Sequence, residues 1–150
     1  LSYLGISLAA DGQNLDNGAK MIHLAPQTSS TIESKSIVKP GGISTFRSLV
    51  KISAEGCKSS SNCDSLLLGG RSDTIPTVEL NGVTADVGHE AKVGRISEEQ
   101  LLYLQSRGLS EAEARNLIVS GFAESVAREL PLEYAVEMNR LINLEMEGGL

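Results

Sequence analysis

Aromatic residues are nearly absent from this chain: they make up 3% of 150 residues, and there is no Trp. Cysteine is scarce too, with only Cys57 and Cys63, too few for a disulfide-dense scaffold. One bridge between them is open on geometric grounds, and two reduced thiols are the expectation. Basic residues are outnumbered, 13 Lys and Arg against 19 Asp and Glu, giving a net charge of -6. With no basic stripe and no aromatic platform for stacking bases, no nucleic-acid partner is expected. No apolar run approaches the roughly 18 residues of a membrane-crossing helix, so no membrane partner is expected. The opening Leu1-Ser2-Tyr3-Leu4 has no basic region ahead of an apolar stretch, and no signal peptide is read. It also has no initiator Met, so a fragment of something longer is expected.

What is present is a sufficient apolar fraction, 41%, for a real core. The chain has two textures. Residues 1 to about 92 are rich in Ser, Thr, Gly and aliphatic side chains. Short alternating runs recur at Ile6-Ser7-Leu8, Met21 to Leu24, Thr31 to Ser34, Phe46 to Ile52, Ser65 to Leu68, Thr77 to Leu80 and Val83 to Val87. Alternation with period two predicts strands with one buried face. Asp11-Gly12, Asn17-Gly18, Pro40-Gly41-Gly42, Glu55-Gly56, Gly69-Gly70 and Asn81-Gly82 read as the turns between them. Such strands suit a β-solenoid with a narrow interior of small residues. The alternative, a β-sandwich, would carry more core aromatics than Tyr3 and Phe46.

From about Ser97 the pattern turns helical. Ser97-Glu98-Glu99-Gln100 and Ser110-Glu111-Ala112-Glu113 both read as capping boxes. The first opens a short helix ending at Arg107-Gly108. The second opens a helix with Ala114, Leu117, Ile118, Gly121, Phe122 and Val126 at three/four spacing. Leu130-Pro131 starts a third, stopped by Gly148-Gly149. The predicted division is a β-domain over 1–95 and a helical domain over 96–150.

Chemistry-bearing residues are few. His89-Glu90 sets an imidazole beside a carboxylate, able to bind a metal or, more blandly, to be a surface pair at a strand end. A zinc-protease motif would need a second His four residues on, and none is there. His23 sits in an apolar run and reads as a packed, hydrogen-bonded histidine. Asn62-Cys63-Asp64 puts a thiol beside a carboxylate, which raises its pKa, so Cys63 reads as structural. There is no P-loop and no G-x-S-x-G elbow.

Five ordered segments carry a resemblance. They are Met21-Ile22-His23-Leu24-Ala25-Pro26-Gln27-Thr28 running on to Lys35, Asn62 to Leu68, Val87-Gly88-His89-Glu90-Ala91, Gln100 to Leu109, and Leu130-Pro131-Leu132-Glu133-Tyr134 running on to Glu137. Together they resemble the SufB/SufD family of iron-sulfur cluster assembly proteins, on the SufB side and in its C-terminal part. The resemblance implies a right-handed parallel β-helix followed by a small C-terminal helical domain. It implies a non-enzymatic scaffold that works with a SufC-like ABC ATPase, and pairing with a SufD-like subunit or a second copy of itself. The cargo implied is a transient iron-sulfur cluster built at a subunit interface, with no permanently bound cofactor. Carried over residue by residue, His89 and Glu90 become candidate iron or cluster ligands, and Cys63 a weaker thiol candidate. The family's cluster-site Cys falls on Gly70. ATPase docking falls on the first two helices, with Leu102, Tyr103, Gln105, Arg107, Leu117 and Phe122 as candidates. The other reading is a SufD-like structural subunit that recruits the ATPase and holds no cluster. A carbohydrate-active β-helix has little support, since no acid pair with a sugar platform is evident. A cytoplasmic location is expected, with a plastid as the alternative compartment.

Overall fold

The computed structural model describes residues 1–148. Gly149, half of the expected helix stop, lies outside the described residues. Seven strands come first: β1 (Ser2–Ala9), β2 (Asn14–His23), β3 (Ser29–Val38), β4 (Ile43–Ile52), β5 (Cys57–Leu67), β6 (Arg71–Leu80) and β7 (Ala85–Arg95). Odd strands form a four-stranded sheet in the order β1-β3-β5-β7, and even strands a three-stranded sheet in the order β2-β4-β6. Every pairing is parallel. The result is a β-solenoid of about three turns, and the sandwich alternative is excluded.

Each turn takes about 29 residues: Ser30 stacks on Ser59 across that separation. The period is visible in the corners. Gly12, Gly41 and Gly70 each hold a positive φ, of 71°, 77° and 58°. These recurring left-handed corners reverse the chain where a Cβ is costly.

The strands are longer than the apolar runs that predict them, because half of the inner face is serine. Along β5, Cys57, Ser59, Ser61, Cys63 and Ser65 are buried, with exposed residues between Cys57 and Cys63. Eight serines are buried in all. Their hydroxyls pair across turns and across the interior: Ser30 to Ser59 at 2.9 Å, Ser7 to Ser36 at 3.2 Å, Ser65 to Ser72 at 2.8 Å. Pairing removes the cost of burying the hydroxyls. Between the serines sit Ile32, Val50, Ile52 and Met21, with Phe46 and Tyr3 ring centroids 6.1 Å apart.

One turn assignment differs. Asn17-Gly18 lies inside β2, opposite Phe46 and Arg47 of β4. Glycine is required there for a different reason: a Cβ would collide with the Arg47 carbonyl. Pro76 lies within β6, which is tolerated because β6 is an edge strand.

Three helices follow: α1 (Glu98–Ser106), α2 (Glu111–Glu129) and α3 (Leu132–Met146). α2 and α3 lie on the outer face of the four-stranded sheet, and α1 packs on α2. Val119 and Ala123 of α2 and Ile142 of α3 bury Ile37 and Leu66, with Leu8 alongside. Complete burial of a side chain such as Ile37 contributes about 1.5–3 kcal/mol. Two lysines tie the layers. Lys39 Nζ donates to the Glu145 carbonyl at 2.7 Å and to its carboxylate at 2.8 Å. Lys35 Nζ donates to the Phe122 carbonyl at 3.1 Å and sits 4.4 Å from the ring centroid. The capping box at Ser110 forms in full, with Glu113 returning to the Ser110 N–H. The one at Ser97 does not: its side chain caps nothing. The buried face of α2 is Ala114, Val119, Ala123 and Val126, so Leu117 and Gly121 fall outside it.

Candidate functional site

The last strands of the two sheets, β6 and β7, have no strand beyond them among the described residues, and they carry the chemistry. In β4 the inner positions Phe46, Val50 and Ile52 are buried. Their ladder partners Thr74, Val78 and Leu80 in β6 continue the column, yet Val78 is 45% exposed. β7 behaves the same way, with all residues from Gly88 to Arg95 exposed. Both β6 and β7 therefore present free backbone edges and a half-covered inner column.

His89 lies in the middle of β7, in register with Ser61 of β5, not at a strand end. Ser61 is an inner residue, so His89 faces the inner column at its open end. Glu90 is the next residue and points to the opposite face. It stands over Asn62 and pairs with Lys92 at 3.6 Å. The two side chains therefore flank one strand and do not converge on one point. Instead, the structure sets Cys63 diagonally beside His89, since Cys63 pairs with Ala91 two residues further along the same face. Cys63 is buried, and burial together with the neighbouring Asp64 carboxylate pushes its thiol up to about 11. It is a protonated core thiol at neutral pH.

Cys57 and Cys63 are free and lie on one strand. Six residues of extended chain separate them by about 20 Å, far beyond bridging reach. Cys57 belongs to a second polar group. His23 Nδ1 is 2.7 Å from Thr28 Oγ1 and its Nε2 is 2.8 Å from Ser30 Oγ, while Cys57 Sγ is 3.3 Å from Thr28 Oγ1. His23 is 5% exposed, a satisfied core histidine.

At Gly70, where the resemblance puts a cluster-site Cys, the corner is too tight for any side chain. A Cβ would run into the carbonyls of Lys39 and Gly42. Among the described residues no three His, Cys, Asp or Glu side chains gather as a metal site.

On the helices, Leu102, Tyr103 and Leu117 are 65%, 58% and 53% exposed. Gln105 and Arg107 are also exposed, and the Arg107 guanidinium lies 5.3 Å from the Tyr103 ring centroid. Tyr103 borders a groove of about 480 Å³ between α1 and α2, shared with Glu99, Gln100, Leu104 and Ile118. Leu117 borders a separate groove between α2 and α3, with Gly121 and Asn139. Phe122 is a correction as a docking residue: it is half-buried against the sheet under Lys35.

The family model described as "SUF system FeS cluster assembly, SufBD core domain" matches residues 1–122. The chain belongs to the SufBD family. The matched region runs through the whole solenoid and into α2, so this core includes more than the strands. The iron-sulfur cluster assembly protein SufB of Bacillus subtilis is 56% identical over 151 residues, covering 98% of this chain and 32% of that protein. An iron-sulfur cluster assembly SufBD family protein of Staphylococcus saprophyticus is 54% identical over 153 residues, covering 99% of this chain and 33% of its own length. One from Mycobacterium bovis is 50% identical, with 98% and 18% covered. The chain thus spans a third or less of these SufBD relatives. It matches the C-terminal part of SufB. No helix among the described residues is long and apolar enough to cross a membrane.

The sequence reading missed the 29-residue period. The signal was there in the even spacing of Gly12, Gly41 and Gly70. It also missed that Cys63 and His89 are diagonal neighbours, which only strand register reveals.

Proposed function

We propose that this chain is part of a scaffold subunit of a SUF-type iron-sulfur cluster assembly complex. The reading rests on membership of the SufBD family together with one observation: His89 is exposed on an unpaired edge strand at the open end of the solenoid. Imidazole and carboxylate are competent iron ligands. Because His89 and Glu90 flank the strand, they would hold cargo only with groups from a second subunit, either a SufD-like chain or a second copy. The free edges of β6 and β7 suit such pairing by strand addition. A SufC-like ATPase would dock on the helices through Tyr103, Leu102 and Arg107. The chain itself performs no catalysis in this scheme.

The deciding experiment uses the full-length protein with its ATPase and pairing subunit, loaded anaerobically with iron and sulfide and followed by visible absorbance. His89→Ala and Glu90→Ala should each lower cluster formation. Unchanged formation in both would remove the ligand role.

A second reading, a SufD-like subunit that recruits the ATPase but holds no cluster, is favoured by one observation. Gly70 sits in a corner that excludes a cysteine, and the two thiols present are buried. Under that reading the complex assembles normally with both alanine variants, and cluster yield does not move.

A further inference from the structure

The chain contains two Asn-Gly pairs, and the fold treats them in opposite ways. Asn81-Gly82 forms the turn between β6 and β7. Asn17-Gly18 lies inside β2. Asn81 is exposed to water.

Asn81 is anchored by its backbone N–H to the Ile52 carbonyl at 3.0 Å, and its side-chain amide donates to Ser53 Oγ at 2.9 Å. The next residue is unconstrained. Gly82 has φ +70°, nothing lies within 4 Å of where its Cβ would be, and among the described residues no hydrogen bond engages its N–H. An amide nitrogen with no hydrogen-bond partner and no side chain beside it is free to approach the preceding side-chain carbonyl. Residue 18 is held differently. The strand pairs in register with β4 along its length, so both neighbours of Gly18 are held in extended conformation, and the space beside it is closed: a Cβ there would collide with the Arg47 carbonyl. Closing a ring there requires opening the ladder first.

We propose that Asn81 is a site of spontaneous covalent modification, the loss of its side-chain amide through a cyclic imide, and that Asn17 is protected from it by the β2–β4 ladder. The Gly82 nitrogen attacks Asn81 Cγ. A C–N bond forms to the backbone, the C–N bond to the side-chain amide breaks, and ammonia leaves carrying the Gly82 amide proton. Water then opens the five-membered ring at either carbonyl, giving aspartate or isoaspartate at residue 81. No oxidant or reductant is involved. The product replaces the donor that holds Ser53 by a carboxylate, and the isoaspartate form lengthens the backbone of the turn feeding β7. The strand that presents His89 is the one whose entry is altered.

The test holds the folded full-length protein in heavy-oxygen water at mildly alkaline pH, then maps label by proteolysis and mass spectrometry. Residue 81 should take up label on the order of a hundredfold faster than residue 17, and the two rates should converge in urea, where the ladder is gone. The variant Asn81→Gln should lose the label at 81 and leave residue 17 unchanged. The proposal is overturned if residue 17 keeps pace with residue 81 in the folded protein. It is equally overturned if residue 81 reacts no faster than Asn116, whose neighbour Leu117 has a side chain.

Discussion

The middle turns of the solenoid and its last turn share one pattern and have opposite burial. β3, β4 and β5 alternate buried and exposed residues, and β6 and β7 continue the same columns in the same register. Val50 is 2% exposed and its ladder partner Val78 is 45% exposed. The residue type is identical, so burial is decided by whether another layer stacks beyond it. Under the proposed function, that uncovered apolar column with its free strand edges is where a second subunit would pair.

The sharpest way to break the comparison is to truncate each valine. Val50→Ala should cost about 2 kcal/mol through a lost methyl pair and a residual cavity. Val78→Ala should cost about 0.5 kcal/mol, as a surface change does. Urea unfolding of the full-length protein measures both, and equal costs would mean that the last turn is covered already. If a second subunit pairs there as proposed, repeating Val78→Ala with it bound should raise the cost toward that of Val50→Ala.

Alkaline pH probes the inner column differently. Cys63 has its thiol raised in the folded state, so the fold binds that proton more tightly than the unfolded chain does. Stability from this site is fully present below the ordinary thiol value of 9.0 and is lost as pH rises toward about 11. Cys63→Ala should flatten the fall in unfolding midpoint across that window. The thiol should also resist alkylation at neutral pH until the protein unfolds.

The helices offer a smaller pair. Ser110→Ala removes a formed capping box and should cost about 1 kcal/mol. Ser97→Ala removes a side chain that caps nothing and should cost nearly nothing. Thermal unfolding followed by circular dichroism reads both, and equal effects would contradict the cap geometry. The Ser110 side chain and backbone hold the Glu113 carboxyl below its usual range, so the box is present at neutral pH and weakens as pH falls through that titration.

Much of this was legible in the residues. Alternation, paired with the scarcity of aromatics, pointed to a solenoid because a narrow interior has no room for large rings. The helix starts followed from capping sequences, although only Ser110 kept its promise. The five ordered segments led to the SufBD family. What alternation could not show was the length of the strands: a buried serine reads as polar, and only its partner across the interior makes it a core residue. Nor could it show that Asn17-Gly18 is strand and Asn81-Gly82 is turn, since the dipeptide is the same.

The sequence by itself determined local conformation and family: period-two strands, glycine corners, helix starts and the His89-Glu90 pair. Register decided the rest. Parallel stacking at 29 residues per turn put Cys63 diagonal to His89, sent Glu90 to the other face, closed the Gly70 corner against any side chain, and laid Phe122 beneath Lys35. These are contacts between residues far apart in the chain, and their geometry exists only once the turns are stacked.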